Sequence, residues 1–149
     1  MAGKQSCPIP GLKRILLATD GSKFSDAAMR EAIRISRACS SKLYVLSVVE
    51  VNPEYEALAP RLVEKAEGET RKLLESVKKK VLKEGLTCET IVHQGDDPAQ
   101  LILVEAEKKR VNMIVMGIHG RTGLKKLMMG SVTQKVIAHT PCSVLVVKA

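Results

Sequence analysis

At 149 residues, with 45% hydrophobic and 27% charged side chains, the chain has the size of one ordinary domain with a real core and a charged surface. Two Tyr, one Phe and no Trp leave the core to aliphatic side chains. They also leave little for bases to stack on, which argues against a nucleic-acid partner despite a net charge of +8.

No apolar run approaches the ~20 residues that span a bilayer, so no membrane association is expected. Residues 1–11 carry two prolines and two glycines and read as a loose tail. Met1 to Lys13 shows no apolar h-region, and the expected location is cytoplasmic. Cys7, Cys39, Cys88 and Cys142 are irregularly spaced and form no CxxC. The expectation is four reduced, partly buried thiols, with neither a zinc site nor a disulfide framework. The basic runs Lys78-Lys79-Lys80 and Lys108-Lys109-Arg110 fall late in predicted helices, where cations suit the dipole.

The first element is the apolar run Arg14 to Thr19, a buried strand broken by Asp20-Gly21-Ser22. Ala28, Ala32, Ile35 and Cys39 then recur at helical spacing. Leu43 to Val49 is a second strand, and its nearly continuous apolar run suits a parallel strand covered on both faces. Val51 to Ala59, with Asn52-Pro53, reads as a loop. A helix is predicted from about Pro60 to Glu84, with Ala66, Thr70, Leu73, Val77 and Val81 as its inner stripe and Gly85 as its stop. Thr87 to His93 is a third strand. Asp97-Pro98 places an N-cap and a first-turn proline on a helix that buries Ala99, Ile102, Leu103 and Ala106. Met113 to Met116 is a fourth strand, Gly117 to Gly130 a glycine-rich loop, Ser131 to His139 a short helix and Ser143 to Val147 a fifth strand.

Strict alternation of strand and helix predicts a single-domain α/β fold: an open parallel five-stranded sheet with helices on both faces, Rossmann-like. The strand order is taken as 3-2-1-4-5. The carboxyl ends of strands one and four are then neighbours, and ligands bind such sheets at that switch point.

The chemistry-bearing motif lies there. Gly117-Ile118-His119-Gly120, nine further residues and Gly130-Ser131 give G-x2-G-x9-G-S. This is neither a P-loop nor a dinucleotide fingerprint. Glycines at 117 and 120 can take positive φ and let backbone N–H groups approach an anion. Gly130-Ser131 opens a helix whose first N–H groups suit phosphate, and Arg121, Lys125 and Lys126 add positive charge. The competing reading is a plain helix start, because Ser131 and Gln134 fit an S-x-x-Q capping box. His119 either touches phosphate or faces solvent. His93 and His139 read as structural, and a cap explains Asp97 better than a metal does.

Ala18-Thr-Asp-Gly-Ser22, Ser47-Val-Val-Glu50, Met116-Gly-Ile-His-Gly-Arg-Thr-Gly123, Gly130-Ser-Val-Thr133 and the closing Pro141 to Val147 resemble the universal stress protein family. The resemblance runs from Leu12 to Lys148, so residues 12–149 are expected to form one nucleotide-binding domain of that kind. In the family, G-x2-G-x9-G-[ST] marks the ATP-binding branch. The resemblance implies that Ala18 and Asp20 line the nucleoside end, that Val48 reads adenine through its backbone, and that Met116 lies beside it. Gly117, Ile118, His119, Gly120, Arg121, Thr122 and Gly123 would wrap ribose and phosphates. Gly130, Ser131, Val132 and Thr133 would hold the phosphate tail through N–H groups and hydroxyls, with Mg²⁺ or Mn²⁺ riding on it. Ile118 departs from the small hydroxyl residue often found there. The resident ligand is expected to be ATP, with AMP or ADP as alternatives.

The resulting reading is a nucleotide-dependent stress or signalling regulator that is a homodimer through Ser143 to Val147. No general base or nucleophile with an orienting partner stands out, which argues against an efficient enzyme. The alternatives are a slow ATP hydrolase or other nucleotide-transforming enzyme, and an interaction dimer with a vestigial site.

Overall fold

The computed structural model describes residues 6–120 and 128–149. Its elements run β1 (Arg14–Ala18), α1 (Lys23–Cys39), β2 (Lys42–Glu50), α2 (Pro53–Leu58), α3 (Pro60–Lys83), β3 (Cys88–Gly95), α4 (Pro98–Lys108), β4 (Met113–Gly117), α5 (Ser131–His139) and β5 (Ser143–Val147). The five strands form one parallel sheet in the order β3-β2-β1-β4-β5. The order expected from the sequence is the observed one.

Alternation along the strands builds two cores. Ile15, Leu17, Leu43, Val45 and Val115 face one way and pack with Ala28, Ala32 and Ile35 of α1 and Leu74, Val77 and Val81 of α3. Leu16, Tyr44, Leu46, Ile114 and Met116 face the other way and pack with Ala99, Ile102, Leu103 and Ala106 of α4 and Val136 of α5. Helices on both faces require both sets to be apolar, hence the continuous runs in β1, β2 and β4.

Helix signals act as read at two places. The Asp97 side chain accepts from the Gln100 N–H at 3.2 Å, with Pro98 in the first turn. Gly85 follows the C-cap of α3 with φ +73°, where a side chain would be strained.

Three expectations need correction. Val51 to Ala59 is not all loop, because residues 53–58 form α2, capped by the Asn52 side chain accepting from the Tyr55 N–H at 2.7 Å. No residue of α2 is buried, so it carries no apolar stripe to betray it. The inner stripe of α3 begins with Val63 and uses Leu74, which is buried, while Leu73 packs on the rim of the core. Cys7 and Cys39 are not free thiols but are joined in a disulfide across 32 residues of sequence. It fastens the stretch read as a tail to the end of α1. Irregular spacing in sequence hid a pair that the fold brings together. Cys88 and Cys142 are free, and burial raises the pKa of each thiol.

Among the described residues, no helix is long and apolar enough to cross a membrane.

Candidate functional site

The strand order reverses between β1 and β4, and the segments leaving their carboxyl ends form the floor of a cleft. After β1, the Thr19 N–H donates to the Leu46 carbonyl at 2.9 Å, which keeps the chain in register with β2. Asp20 then accepts from the Ser22 N–H at 2.9 Å, and Ser22 caps α1 by accepting from the Ser25 N–H at 3.3 Å. The Ser25 hydroxyl donates to the Ser22 carbonyl at 3.0 Å and lies 3.1 Å from the Thr19 hydroxyl. This knot of short polar side chains fixes where Asp20 stands.

After β4, the backbone is held from three sides. The Ile118 N–H donates to the Val147 carbonyl at 3.0 Å, and the Gly130 N–H donates to the Ile118 carbonyl at 2.8 Å. Thr133, buried on α5, donates its hydroxyl to the Gly117 carbonyl at 3.0 Å. The glycines here serve close approach. A Cβ on Gly117 would lie 2.9 Å from the carbonyl carbon and oxygen of Phe24, and one on Gly130 would lie 3.3 Å from the Ile118 carbonyl oxygen. The positive φ expected at Gly117 and Gly120 is absent; what the packing demands at both is room, not an unusual backbone.

The capping box does not form. Gly130 is the N-cap of α5, in extended conformation, and no side chain caps the helix. Ser131 is therefore the first helical residue. The Gln134 side chain turns to the Met129 carbonyl at 2.6 Å. Because the Gly130 N–H is tied to Ile118, the chain enters the helix one residue earlier than a serine cap would need.

The cleft above these segments has a volume of about 480 Å³, within the roughly 300–1,000 Å³ typical of small-molecule sites. Of the residues read from the sequence, Ala18 and Asp20 line it from β1, Val48 from β2, and Met116, Gly117, His119 and Gly120 from β4 and beyond. Gly130, Ser131, Val132 and Thr133 line it from the start of α5. Ile118 does not line it and contributes through its backbone instead. Arg121, Thr122, Gly123, Lys125 and Lys126 lie outside the described residues. His119 is buried rather than solvent-facing, with its ring edge-on to Phe24 at 5.0 Å between centroids.

Sequence reading missed the remaining walls. Thr19 and Ser25 enter through the α1 cap, Pro98 and Ile102 through α4, and Ser47, Val49, Glu50, Ala66, Glu69 and Thr70 through β2 and α3. An apolar stripe marks α3 as a helix but not which of its turns overhangs a strand end. His93 and Glu105 lie behind Val48, whose register partner is His93, and the imidazole is 2.8 Å from the carboxylate. Asp97 at the mouth of α4 is ion-paired with Lys135 of α5. The hydrogen bond from Lys135, and then that from the Gln100 N–H, hold its carboxyl below the usual range.

The fold and this cleft define a doubly wound α/β protein with an open cleft at the switch point of the sheet. The model of the universal stress protein family matches residues 11–148. Universal stress protein MJ0531 of Methanocaldococcus jannaschii is 37% identical over 144 residues, covering 91% of this chain and 82% of that one. The solved structure of hypothetical protein MJ0577 superposes with a TM-score of 0.83 at 31% identity, covering 93% of this chain and 96% of that one. A universal stress protein from Archaeoglobus fulgidus, solved in complex with dAMP, shares the fold with a TM-score of 0.67 at 21% identity, covering 90% of this chain and 96% of that one. The chain belongs to the universal stress protein family.

Proposed function

We propose that this protein binds ATP in the switch-point cleft and acts as a nucleotide-dependent stress or signalling regulator, not as an efficient enzyme. The observation that carries the reading is the start of α5. Gly130 caps the helix without a side-chain partner, and Ser131, Val132 and Thr133 line the cleft beside it. The first N–H groups of a helix lack intrahelical acceptors, and phosphate oxygens satisfy them while meeting the positive end of the dipole. A Cβ on Gly130 would press on the Ile118 carbonyl oxygen at 3.3 Å and on the backbone of His119 and Gly120, which line the same cleft.

In this reading the phosphates lie against Gly130 to Thr133 and the base lies toward Val48. Thr133 takes part through its N–H, because its hydroxyl proton is engaged by Gly117; the exposed Ser131 hydroxyl remains for the phosphate tail. Ile118 costs little in this arrangement, since its backbone is what the loop uses. Mg²⁺ or Mn²⁺ would be held by the phosphates, with Asp20 the carboxylate on the same cleft floor. The dAMP bound by the Archaeoglobus relative supports an adenine nucleotide as the ligand class. The protein would work as a cytoplasmic homodimer whose partners respond to occupancy.

Mass spectrometry of the purified protein tests this, with co-purified ATP, ADP or AMP expected. Added ATP with Mg²⁺ should raise the melting temperature more than GTP does, because a ligand that binds only the folded state stabilises it. Equal shifts would remove the adenine assignment. No shift with any nucleotide would favour a vestigial site.

A further inference from the structure

We infer that the Cys7–Cys39 bond is a thiol-exchange site, and that a small dithiol reacting there unfastens residues 6–11 from the body of the protein. The inference does not depend on the nucleotide reading. The segment reads Ser-Cys-Pro-Ile-Pro-Gly and has no charged side chain with which to pair. Its hydrogen bonds stay inside its own turn, where the Leu12 N–H donates to the Ile9 carbonyl at 3.3 Å. Ser6, Pro8, Ile9, Pro10 and Gly11 are exposed, and only Cys7 is half-buried, packed against the core under α1 and α3. Among the described residues, the bond to Cys39 is therefore what holds the segment down.

Anchorage changes abruptly at Gly11, which turns the chain with φ +79°, a conformation that side chains avoid. Leu12, the next residue, is buried in the core, and its carbonyl accepts from the buried Ser41 hydroxyl. The N–H groups of Lys13 and Arg14 then donate to the Asn112 side chain at 3.0 and 2.9 Å. Opening the bond thus frees the chain on one side of Gly11 and leaves β1 fixed on the other. Exposed disulfides are the ones that exchange readily with thiols. Cys7 sits between exposed Ser6 and Pro8, and Cys39 ends α1 beside exposed Ser40. In the exchange, one thiolate of the dithiol attacks the Cys7 sulfur, forming a mixed disulfide and releasing Cys39 as its thiolate. The second thiolate of the dithiol then displaces Cys7, and the co-reactant leaves as its own disulfide. The protons it gave up return to Cys7 and Cys39, so the protein is reduced by one electron pair and the dithiol is oxidised by the same pair.

The test uses the full-length folded protein, with dithiothreitol as reductant and glutathione disulfide as oxidant. Quenched samples, alkylated in denaturant and weighed by mass spectrometry, should show Cys88 and Cys142 labelled before reduction and all four cysteines labelled after it. Reduction should lower the backbone order parameters of Cys7, Ile9 and Gly11 from the rigid range of about 0.85 to below about 0.6. The amide shifts of Asp20 and Ser25, at the far end of β1 and the start of α1, should stay in place. Glutathione disulfide should restore both the bond and the order. Cys7→Ser should be loose from the outset and ignore both reagents. A bond that dithiothreitol opens only after denaturant is added overturns the exchange site. So does a reduction that broadens the whole amide spectrum, because the bond would then be a staple of the fold. Unchanged order parameters on reduction, or a Cys7→Ser variant in which residues 6–11 stay ordered, overturn the unfastening. A wild type whose four cysteines stay reduced in glutathione disulfide overturns the site altogether.

Discussion

Thr133 on α5 and Gly117 at the end of β4 are joined by a hydrogen bond of 3.0 Å, donated by the buried hydroxyl to the backbone carbonyl. Sixteen residues separate them in sequence, and the bond pins the first turn of the helix to the strand end on which the cleft is built. Thr133→Val keeps the shape but leaves the Gly117 carbonyl without its donor. A loss of about 1–3 kcal/mol is expected, read as a lower urea midpoint with an unchanged slope. Thr133→Ser should recover most of it.

Gly117 and Gly130 should separate stability from binding. Gly117→Ala places a Cβ 2.9 Å from backbone atoms of Phe24, which cannot swing aside as a side-chain tip could. Overpacking of this kind costs about 1–3 kcal/mol, and thermal unfolding should show it. At Gly130 the backbone, φ −60° and ψ 150°, suits any residue, and the nearest atom is the Ile118 carbonyl oxygen at 3.3 Å. Gly130→Val should therefore fold, yet lose ATP affinity by at least about tenfold as its branched side chain crowds the start of α5. Wild-type ATP affinity in Gly130→Val would move the phosphates elsewhere.

What the sequence disclosed and what it hid follow from range. The strands and the core faces of α1 and α4 were legible because burial on both faces writes itself as apolar runs and 3.6-residue stripes. The residues at the ends of β1 and β4 were legible because a switch point needs only the order of elements. α2 was not, although Asn52-Pro53 is the same cap-and-proline signal as Asp97-Pro98; six exposed residues offer no stripe to confirm it. Ser131-x-x-Gln134 misled, because the sequence does not show that Gly130 is tied to Ile118 and caps the helix first. The Cys7–Cys39 pair and the α3 wall of the cleft are purely tertiary, and no local pattern records them.

The disulfide should be worth a measurable part of the stability. Cross-linking residues 32 apart removes loop entropy from the unfolded chain, about 3–4 kcal/mol in the chain-entropy model. A dithiol reductant should lower the denaturant midpoint of the wild type. The variant Cys7→Ser/Cys39→Ser should start at the lower value and ignore the reductant. A wild type equally indifferent to reductant would show that the bond contributes nothing in solution.

Acid should weaken the β3 edge. Glu89 is held by hydrogen bonds from Lys109 at 2.7 Å and Lys42 at 3.3 Å, with Lys109 the stronger influence, and its carboxyl lies below the usual 4.5. A carboxyl depressed in the folded state contributes stability that is fully present above its unfolded value. That contribution is lost as pH falls from about 4.5 through the folded value. The side chain is 40% exposed, so solvent screening limits the effect to within about 1 kcal/mol. Glu89→Gln should flatten the stability profile in that acidic window and leave it unchanged in shape near neutrality. An identical acid limb in the variant would assign the loss to other carboxylates.

The last prediction concerns the free edge of β5, where we expect a homodimer. β5 ends the sheet, pairing with β4 on one side only, and Val144 to Val147 are half-buried in the single chain. The Ile118 N–H donates to the Val147 carbonyl, so the polar backbone groups of Val147 point inward, toward β4. Alternation then turns the N–H and carbonyl of Val144 and Val146 outward, without a backbone partner among the described residues. An apolar edge with free backbone groups invites a second strand, and two copies can pair about a two-fold axis. Val146→Pro removes one outward donor and leaves the ladder to β4 intact, because that ladder does not use the Val146 N–H. Sedimentation over a range of concentrations should show a wild-type dimer and a Val146→Pro variant shifted to monomer, with unchanged circular dichroism. A wild type that stays a monomer of 16.2 kDa when concentrated would rule out the dimer. A Val146→Pro variant that stays fully dimeric would place the interface on another face of the molecule.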